Sequence, residues 1–269
     1  MRTIVQISDL HFGRHDPDVV EALLAELRDP APDLVVVSGD LTQRARRGEF
    51  RQARAFLDRI TVPVVAIPGN HDVPLYDVAR RFLRPLARFR RYVSAEPIPC
   101  YADAEIAVLG LNTARSLALK NGRVSVEQMD AIRLAFGRPP GARFRVLVTH
   151  HPLVATDDPG QEPVGRWRGA LGAVAETGVR LLLSGHYHHA YVGSAAARFA
   201  AGGSILVVHA GTAVSRRTRR ETNTYNRISI GTDRMLSLEV RAWSGGGSGG
   251  FATDRTASYR LLGDRWAPA

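Results

Sequence analysis

The residues best suited to chemistry in this 269-residue chain are aspartate, asparagine and histidine, and they recur in short polar clusters. Asp9 and His11 stand two apart, Asp40 follows Ser38-Gly39, and Asn70, His71 and Asp72 follow Pro68-Gly69. His150 and His151 precede Pro152, while His186, His188 and His189 come just after Gly185. With Cys100 the only cysteine, such donors make a nitrogen-and-oxygen metal site, suited to Mn, Fe, Zn, Co or Ni. Asp9 and His11, like His186 and His188, can point to one side of an extended backbone. Seven donors (Asp9, His11, Asp40, Asn70, His150, His186 and His188) are too many for one catalytic ion that keeps an open position. They suit two ions bridged by a carboxylate, which can clamp the attacking and leaving oxygens of a displacement at phosphorus.

Taken singly, each cluster has a plainer reading. Asp9 alone suits a helix N-cap, Asn70 and Asp72 after a glycine suit a turn, and a lone histidine is usually a hydrogen-bonded core residue. Their common placement argues otherwise. Alternating β-branched runs and amphipathic stretches predict strands over 3–8, 34–38, 62–67, 104–111, 144–149 and 179–184. Helices are predicted over 18–28, 49–60, 78–92, 126–136 and 169–176. Five of these strands end at a polar cluster, and ligands of open α/β sheets bind beyond the carboxyl ends of strands. The glycines before Asp40, Asn70 and His186 are expected to allow tight turns or positive φ. After Gly185 the pattern changes to strands over 205–209, 225–230, 235–243 and 258–262, with the Gly/Ser run 244–250 joining two terminal hairpin strands. The whole reads as one domain over 1–269, with an α/β half and a more antiparallel half.

In this order, Asp-x-His, Gly-Asp, Gly-Asn-His-Asp, His-His-Pro and Gly-His-x-His resemble the signature of the calcineurin-like metallophosphoesterase superfamily, over residues 9–188. The resemblance implies an α/β fold, a four-layer α-β-β-α sandwich of two mixed sheets flanked by helices. It implies two divalent or trivalent ions (Mn, Fe, Zn or Co), one held by Asp9, His11 and His188 and the other by Asn70, His150 and His186. Asp40 is then the bridge. The first histidine of His-His-Pro is the family's usual ligand, so His151 is expected behind the ligands or beside substrate, and His189 likewise. His71 is implied as the catalytic residue that stabilises the transition state or protonates the leaving oxygen, with Asp72 a candidate to hold its tautomer. The nucleophile is then a hydroxide on the ions.

Within the superfamily, the short chain and its Gly-Asn-His-Asp resemble bacterial class III cyclic-nucleotide phosphodiesterases, which implies hydrolysis of cyclic nucleotides or similar small diesters. Arg216, Arg217, Arg219 and Arg220, close after the last signature, could bind a second substrate phosphate, because an arginine fork matches phosphate oxygens. They read equally well as a solvated loop. Over 78–92 a continuous helix would put Phe82, Leu86 and Phe89 on one face and Arg80, Arg84, Arg88 and Arg91 on the other. That pattern fits a lid for an amphiphilic substrate or a contact with an anionic membrane, although Pro85 would kink it. It keeps open a second reading, a nucleotide-lipid pyrophosphatase of the UDP-diacylglucosamine type.

The net charge of +10 attracts polyanions but decides little, and a nucleic-acid-binding scaffold with degraded activity is a weaker third reading that the intact ligand set disfavours. No secretory signal and no apolar run of roughly 18 residues is evident. The expectation is a cytoplasmic enzyme, peripheral to the inner face of the membrane if the basic stretches bind lipid, with homo-oligomer contacts left open.

Overall fold

A computed structural model describes the chain except residues 118–119, 138–142, 157, 159–160, 198, 200–204, 219–220 and 246–248. The N-terminal elements are β1 (Arg2–Ile7), α1 (Pro17–Glu26), β2 (Leu34–Val37), α2 (Arg47–Leu57) and β3 (Val64–Ala66). A 3₁₀ turn over Asn70–Asp72 leads to α3 (Val78–Leu83) and α4 (Ala87–Tyr92). The middle of the chain forms β4 (Cys100–Ala102), β5 (Ile106–Leu111), α5 (Val126–Phe136), β6 (Phe144–Thr149), α6 (Trp167–Glu176) and β7 (Leu181–Ser184). The remainder is strand: β8 (Tyr191–Ser194), β9 (Leu206–His209), β10 (Thr224–Ile230), β11 (Met235–Trp243), β12 (Phe251–Leu262) and β13 (Arg265–Pro268).

Two mixed sheets result, in the orders β13-β12-β11-β10-β1-β2-β3 and β4-β5-β6-β7-β9-β8. β2 shows why they stack. Leu34-Val35-Val36-Val37 is wholly buried, as a parallel strand covered on both faces must be. Its period of two sends Leu34 and Val36 into the core between the sheets and Val35 and Val37 toward the helices. Val146 and Val148 likewise face the other sheet, while Leu147 joins Ile132, Leu171 and Val174 beneath α5 and α6. Three apolar layers therefore separate four structural ones: helix, sheet, sheet, helix. Polar side chains fix how the sheets sit near the strand ends. Gln6 on β1 faces Asn226 on β10 and donates to Ser184 O at 2.9 Å, while Asn226 donates to Gln6 Oε1 and to His209 O.

The expected helix over 78–92 is two short ones. Asp77 caps α3, and the chain breaks at Arg84-Pro85 before α4 begins. The two-faced pattern fails with it: Phe89 is buried, Phe82 is exposed, and Arg81 is buried. Strands β4, β8 and β13 are too short and too exposed to stand out in sequence, and β12 begins seven residues before its apolar pattern suggests. Among the described residues no helix is long and apolar enough to cross a membrane.

Candidate metal centre

β1, β2, β3, β6 and β7 all release the chain toward one edge of the paired sheets, and the loops that follow are laced together there. Asp9 N donates to Gly39 O, His11 N to Asp40 O, and Gly185 N to His150 O, at 3.0–3.1 Å. Eight non-glycine residues among those described have positive φ, and five of them are Asp9, His11, Asp40, His186 and His188. Each such residue costs on the order of 1–3 kcal/mol and persists only where its surroundings over-determine it. The sequence had suggested that glycines would absorb this strain. Gly39 does, at φ +100°, but Gly69 and Gly185 matter for close approach: a Cβ at Gly69 would overlap Asp40, and one at Gly185 would overlap Ser8 and Asp9.

The side chains divide their atoms between anchor and site. Asp9 Oδ2 accepts from His186 N at 3.1 Å, leaving Oδ1 3.3 Å from His188 Nε2 and 3.7 Å from His11 Nε2. Asp40 Oδ1 accepts from His71 N at 2.8 Å, leaving Oδ2 3.4 Å from His150 Nε2 and 3.9 Å from His11 Nε2. Asn70 Oδ1 lies 3.2 Å from His150 Nε2 and 3.1 Å from His186 Nδ1. Atoms that share one ion at about 2.0–2.2 Å stand roughly 3–3.5 Å apart. Two groups approach that size, with Asp9 Oδ1 3.3 and 3.7 Å from His188 and His11 and Asn70 Oδ1 3.1 and 3.2 Å from His186 and His150, and Asp40 Oδ2 approaches one histidine of each.

The far ring nitrogens of His150, His11 and His188 are spoken for. His150 Nδ1–H donates to Ser38 O at 2.8 Å, His11 Nδ1–H to Thr42 O at 3.4 Å, and His188 Nδ1 pairs with Thr212 Oγ1 at 2.8 Å. Such partners fix the tautomer and turn the other nitrogen inward. Asp9 Oδ1 and His11 Nε2 are sealed from solvent with no hydrogen-bond partner, which costs roughly 1–3 kcal/mol or more for each group unless a cation meets them. Burial lowers the His11 imidazole to about 4. Burial also pulls down His150, but the Asp40 carboxylate outweighs it and lifts His150 to about 9. The lift at His150 marks Asp40 as a place that stabilises positive charge, and a metal ion bound there would compete with a proton for that nitrogen. The donor set fits a pair of ions.

Not every expected residue behaves as expected. Asp72 does not hold the His71 tautomer. It is buried and accepts from Gly69 N, Leu41 N, Thr42 N and Thr42 Oγ1 at 2.9–3.1 Å, so it pins the Asp40 loop to the Asn70 loop. Gln43 O holds His71 instead, accepting from Nδ1–H at 2.8 Å. His151 has both ring nitrogens engaged, by Thr113 Oγ1 and Lys120 O, and its ring packs 4.6 Å from that of His186; it supports the site from behind and has no nitrogen left for substrate. His189 stacks on Tyr187 with Nε2 3.9 Å from Asp158, outside both donor groups. Arg216 is two-thirds exposed and pairs with Asp16, whereas Arg217 Nη1 donates to His71 Nε2 at 3.0 Å. Arg219 and Arg220 lie outside the described residues. Thr42, Gln43 and Thr212, missed in the sequence, carried one signal: Thr42 and Gln43 lie two and three residues after Asp40, within reach of any group Asp40 organises.

A family model described as calcineurin-like phosphoesterase matches residues 2–190. The chain belongs to the calcineurin-like phosphoesterase family. A probable cyclic nucleotide phosphodiesterase of Synechococcus is 26% identical over 206 residues, 71% of this chain and 74% of that protein. A probable glycerophosphodiester phosphodiesterase of Arcobacter nitrofigilis is 27% identical over 205 residues, 69% and 71% of the two chains. The fold matches that of a dimetal phosphatase from Danio rerio, with a TM-score of 0.64 over 90% of this chain and 96% of the other at 14% identity. This phosphoesterase is thus a metal-dependent phosphoric ester hydrolase of a family that works with a dinuclear centre, and its aspartate and histidine groups fit one.

Close approach at Gly69 gives a test of how the phosphoesterase positions the Asp40 carboxylate. Gly69→Ala must displace Asp40, so the folded variant is expected to retain at most half the wild-type metal content by elemental analysis after manganese loading. Gly48→Ala, in open space within α2, should keep full metal content and gain about 0.4–1 kcal/mol in urea unfolding.

Proposed function

We propose that the protein is a phosphodiesterase, one domain over 1–269, acting on cyclic nucleotides or similar small diesters. Asp9, His11 and His188 hold one ion in this reading, Asn70, His150 and His186 the other, and Asp40 both. The observation that carries it is Asp40 Oδ2, turned by a backbone anchor at its other oxygen toward a histidine of each donor group. Diesters rank first because relatives matched over 205 to 209 residues are named for cyclic-nucleotide and glycerophosphodiester hydrolysis. When bound, the ion pair supplies a lowered pKa for water and positive charge beside the phosphoryl group. Donors of nitrogen and oxygen suit Mn, Fe, Zn or Co.

This chain's own residues supply the rest. His71 is anchored at its backbone to Asp40 and at Nδ1 to Gln43, so Nε2 is the nitrogen left to act on the ester. When that nitrogen carries a proton, it can pass it to the leaving oxygen. Asp72 acts through the loops it ties rather than on the substrate. A second reading, hydrolysis of a nucleotide-lipid diphosphate at an anionic membrane surface, draws on the exposed Tyr76, Val78, Phe82, Leu83 and Leu117. Arg81 brings these segments together by donating to Ser116 O and Pro74 O.

Manganese-loaded protein should hydrolyse bis-p-nitrophenyl phosphate and cyclic AMP with higher kcat/KM than a UDP-linked lipid diphosphate in mixed micelles. The reverse order would replace the first reading with the second, and turnover of none of them would remove both. His71→Ala is expected to keep both metals and lose roughly 10²–10⁴-fold in turnover on cyclic AMP. The loss should shrink for bis-p-nitrophenyl phosphate, whose leaving group needs little protonation. An equal loss on both substrates would assign His71 to charge stabilisation instead.

A further inference from the structure

We propose that Arg217 is a substrate-contacting residue: its guanidinium donates to a non-bridging oxygen of the bound phosphoryl group, and His71 holds it in place until substrate arrives. The inference rests on the phosphoesterase reading of the site and names a group that the ligand signatures leave out. Arg217 Nη1 stands 3.0 Å from His71 Nε2. Because Nδ1–H of that ring is committed to Gln43 O, Nε2 is the acceptor of this contact. The His71 backbone N donates to Asp40, so the guanidinium sits one residue removed from the shared carboxylate.

The segment that carries Arg217 is fastened to the loop that carries Asp9 and His11. Ala213 N donates to Ser8 O at 3.0 Å, Arg216 N to Arg14 O at 2.9 Å, and Ser215 Oγ to Arg14 O at 3.3 Å. Arg217 N donates to Ser215 Oγ, and Asn223 Nδ2 grips Ser215 O at 2.8 Å. Asp16 N closes the set on Val214 O. These ties fix where the Arg217 side chain begins relative to the donor groups, so its reach toward His71 is a property of the fold. The adjacent arginine turns the other way, to Asp16. The basic run that the sequence offers as one group is therefore divided, and Arg217 is the described member aimed into the site.

A neutral imidazole nitrogen is a weaker acceptor for a guanidinium than a phosphoryl oxygen bearing charge, and the planar fork can meet two such oxygens at once. Arrival of the ester then lets Arg217 transfer its hydrogen bond from His71 Nε2 to the phosphoryl group. No bond to Arg217 is made or broken; it binds and orients.

The experiment compares wild type, Arg217→Gln and Arg217→Lys as full-length manganese-loaded protein. Inorganic phosphate binding is measured by calorimetry in 0.1 and 0.5 M salt, bis-p-nitrophenyl phosphate kinetics are run in parallel, and thermal melting and metal analysis confirm folded, loaded protein. The Gln variant should keep its metals and bind phosphate roughly 10- to 100-fold more weakly, a difference that persists at the higher salt as a direct contact does. The Lys variant, keeping the charge without the fork, should recover part of that loss. Phosphate-soaked wild-type crystals should place the guanidinium on phosphate and off His71. Equal phosphate affinity in wild type and the Gln variant overturns the proposal even if turnover falls, since Arg217 would then act on His71 alone. A wild type that binds metal but no phosphate overturns it too. Loss of the phosphodiesterase reading is seen separately, as wild-type protein that binds phosphate yet hydrolyses no ester.

Discussion

Asp9, Asp40 and Asp72 place three nearly inaccessible carboxylates in one knot of strand-end loops, and a buried anion costs several kcal/mol unless charge or donors meet it. The structure meets them in two ways. Asp72 receives four donors from the loops it joins and is satisfied within the protein. Asp9 and Asp40 each receive one backbone N–H, and each turns its second oxygen toward imidazole nitrogens that are themselves anchored from behind. Only a cation completes that arrangement at Asp9, whose Oδ1 has no donor. The buried charge is what makes the proposed ion pair integral to the folded state rather than an addition to it.

That constraint runs back into the backbone. Bringing Asp9, His11, Asp40, His186 and His188 into one volume requires left-handed conformations at all five. The cost is tolerable because the loops are laced to one another, and because the sheets beneath them are rigid. The core between the sheets holds Leu34, Val36, Val146 and Val148, and the bonds from Gln6 to Ser184 O and from Asn226 to His209 O set the two sheets in register close to the site. A shift of one sheet against the other would separate Asp9 and Asp40, on the first sheet, from His150 and His186, on the second.

Much of this was legible in the residues. Convergence of the polar clusters followed from their common position after predicted strands, because a parallel strand needs a long apolar run and the functional groups can only begin where it stops. The four layers were implied by the family resemblance and agree with the same runs. What sequence patterning concealed depends on tertiary neighbours. Which carboxylate braces the loops and which keeps an oxygen open for a cation depends on the donors around it: Asp72 meets the Leu41, Thr42 and Gly69 N–H groups and the Thr42 hydroxyl, whereas Asp40 meets the His71 N–H. The split of the 78–92 stretch was signalled by Pro85, but the apolar pattern on either side argued for continuity. Arg216 and Arg217 are adjacent and chemically identical, and only the fastening of their segment to Arg14 and Asn223 sends one to Asp16 and the other to His71.

The most direct test is anomalous diffraction from crystals of manganese-loaded protein, collected at the metal edge. Two peaks are expected roughly 3.5–4 Å apart. One should lie among Asp9, His11 and His188, the other among Asn70, His150 and His186, with Asp40 Oδ2 between them. A single peak at full loading, or a second peak away from Asp40, would contradict the account of a carboxylate shared by two ions.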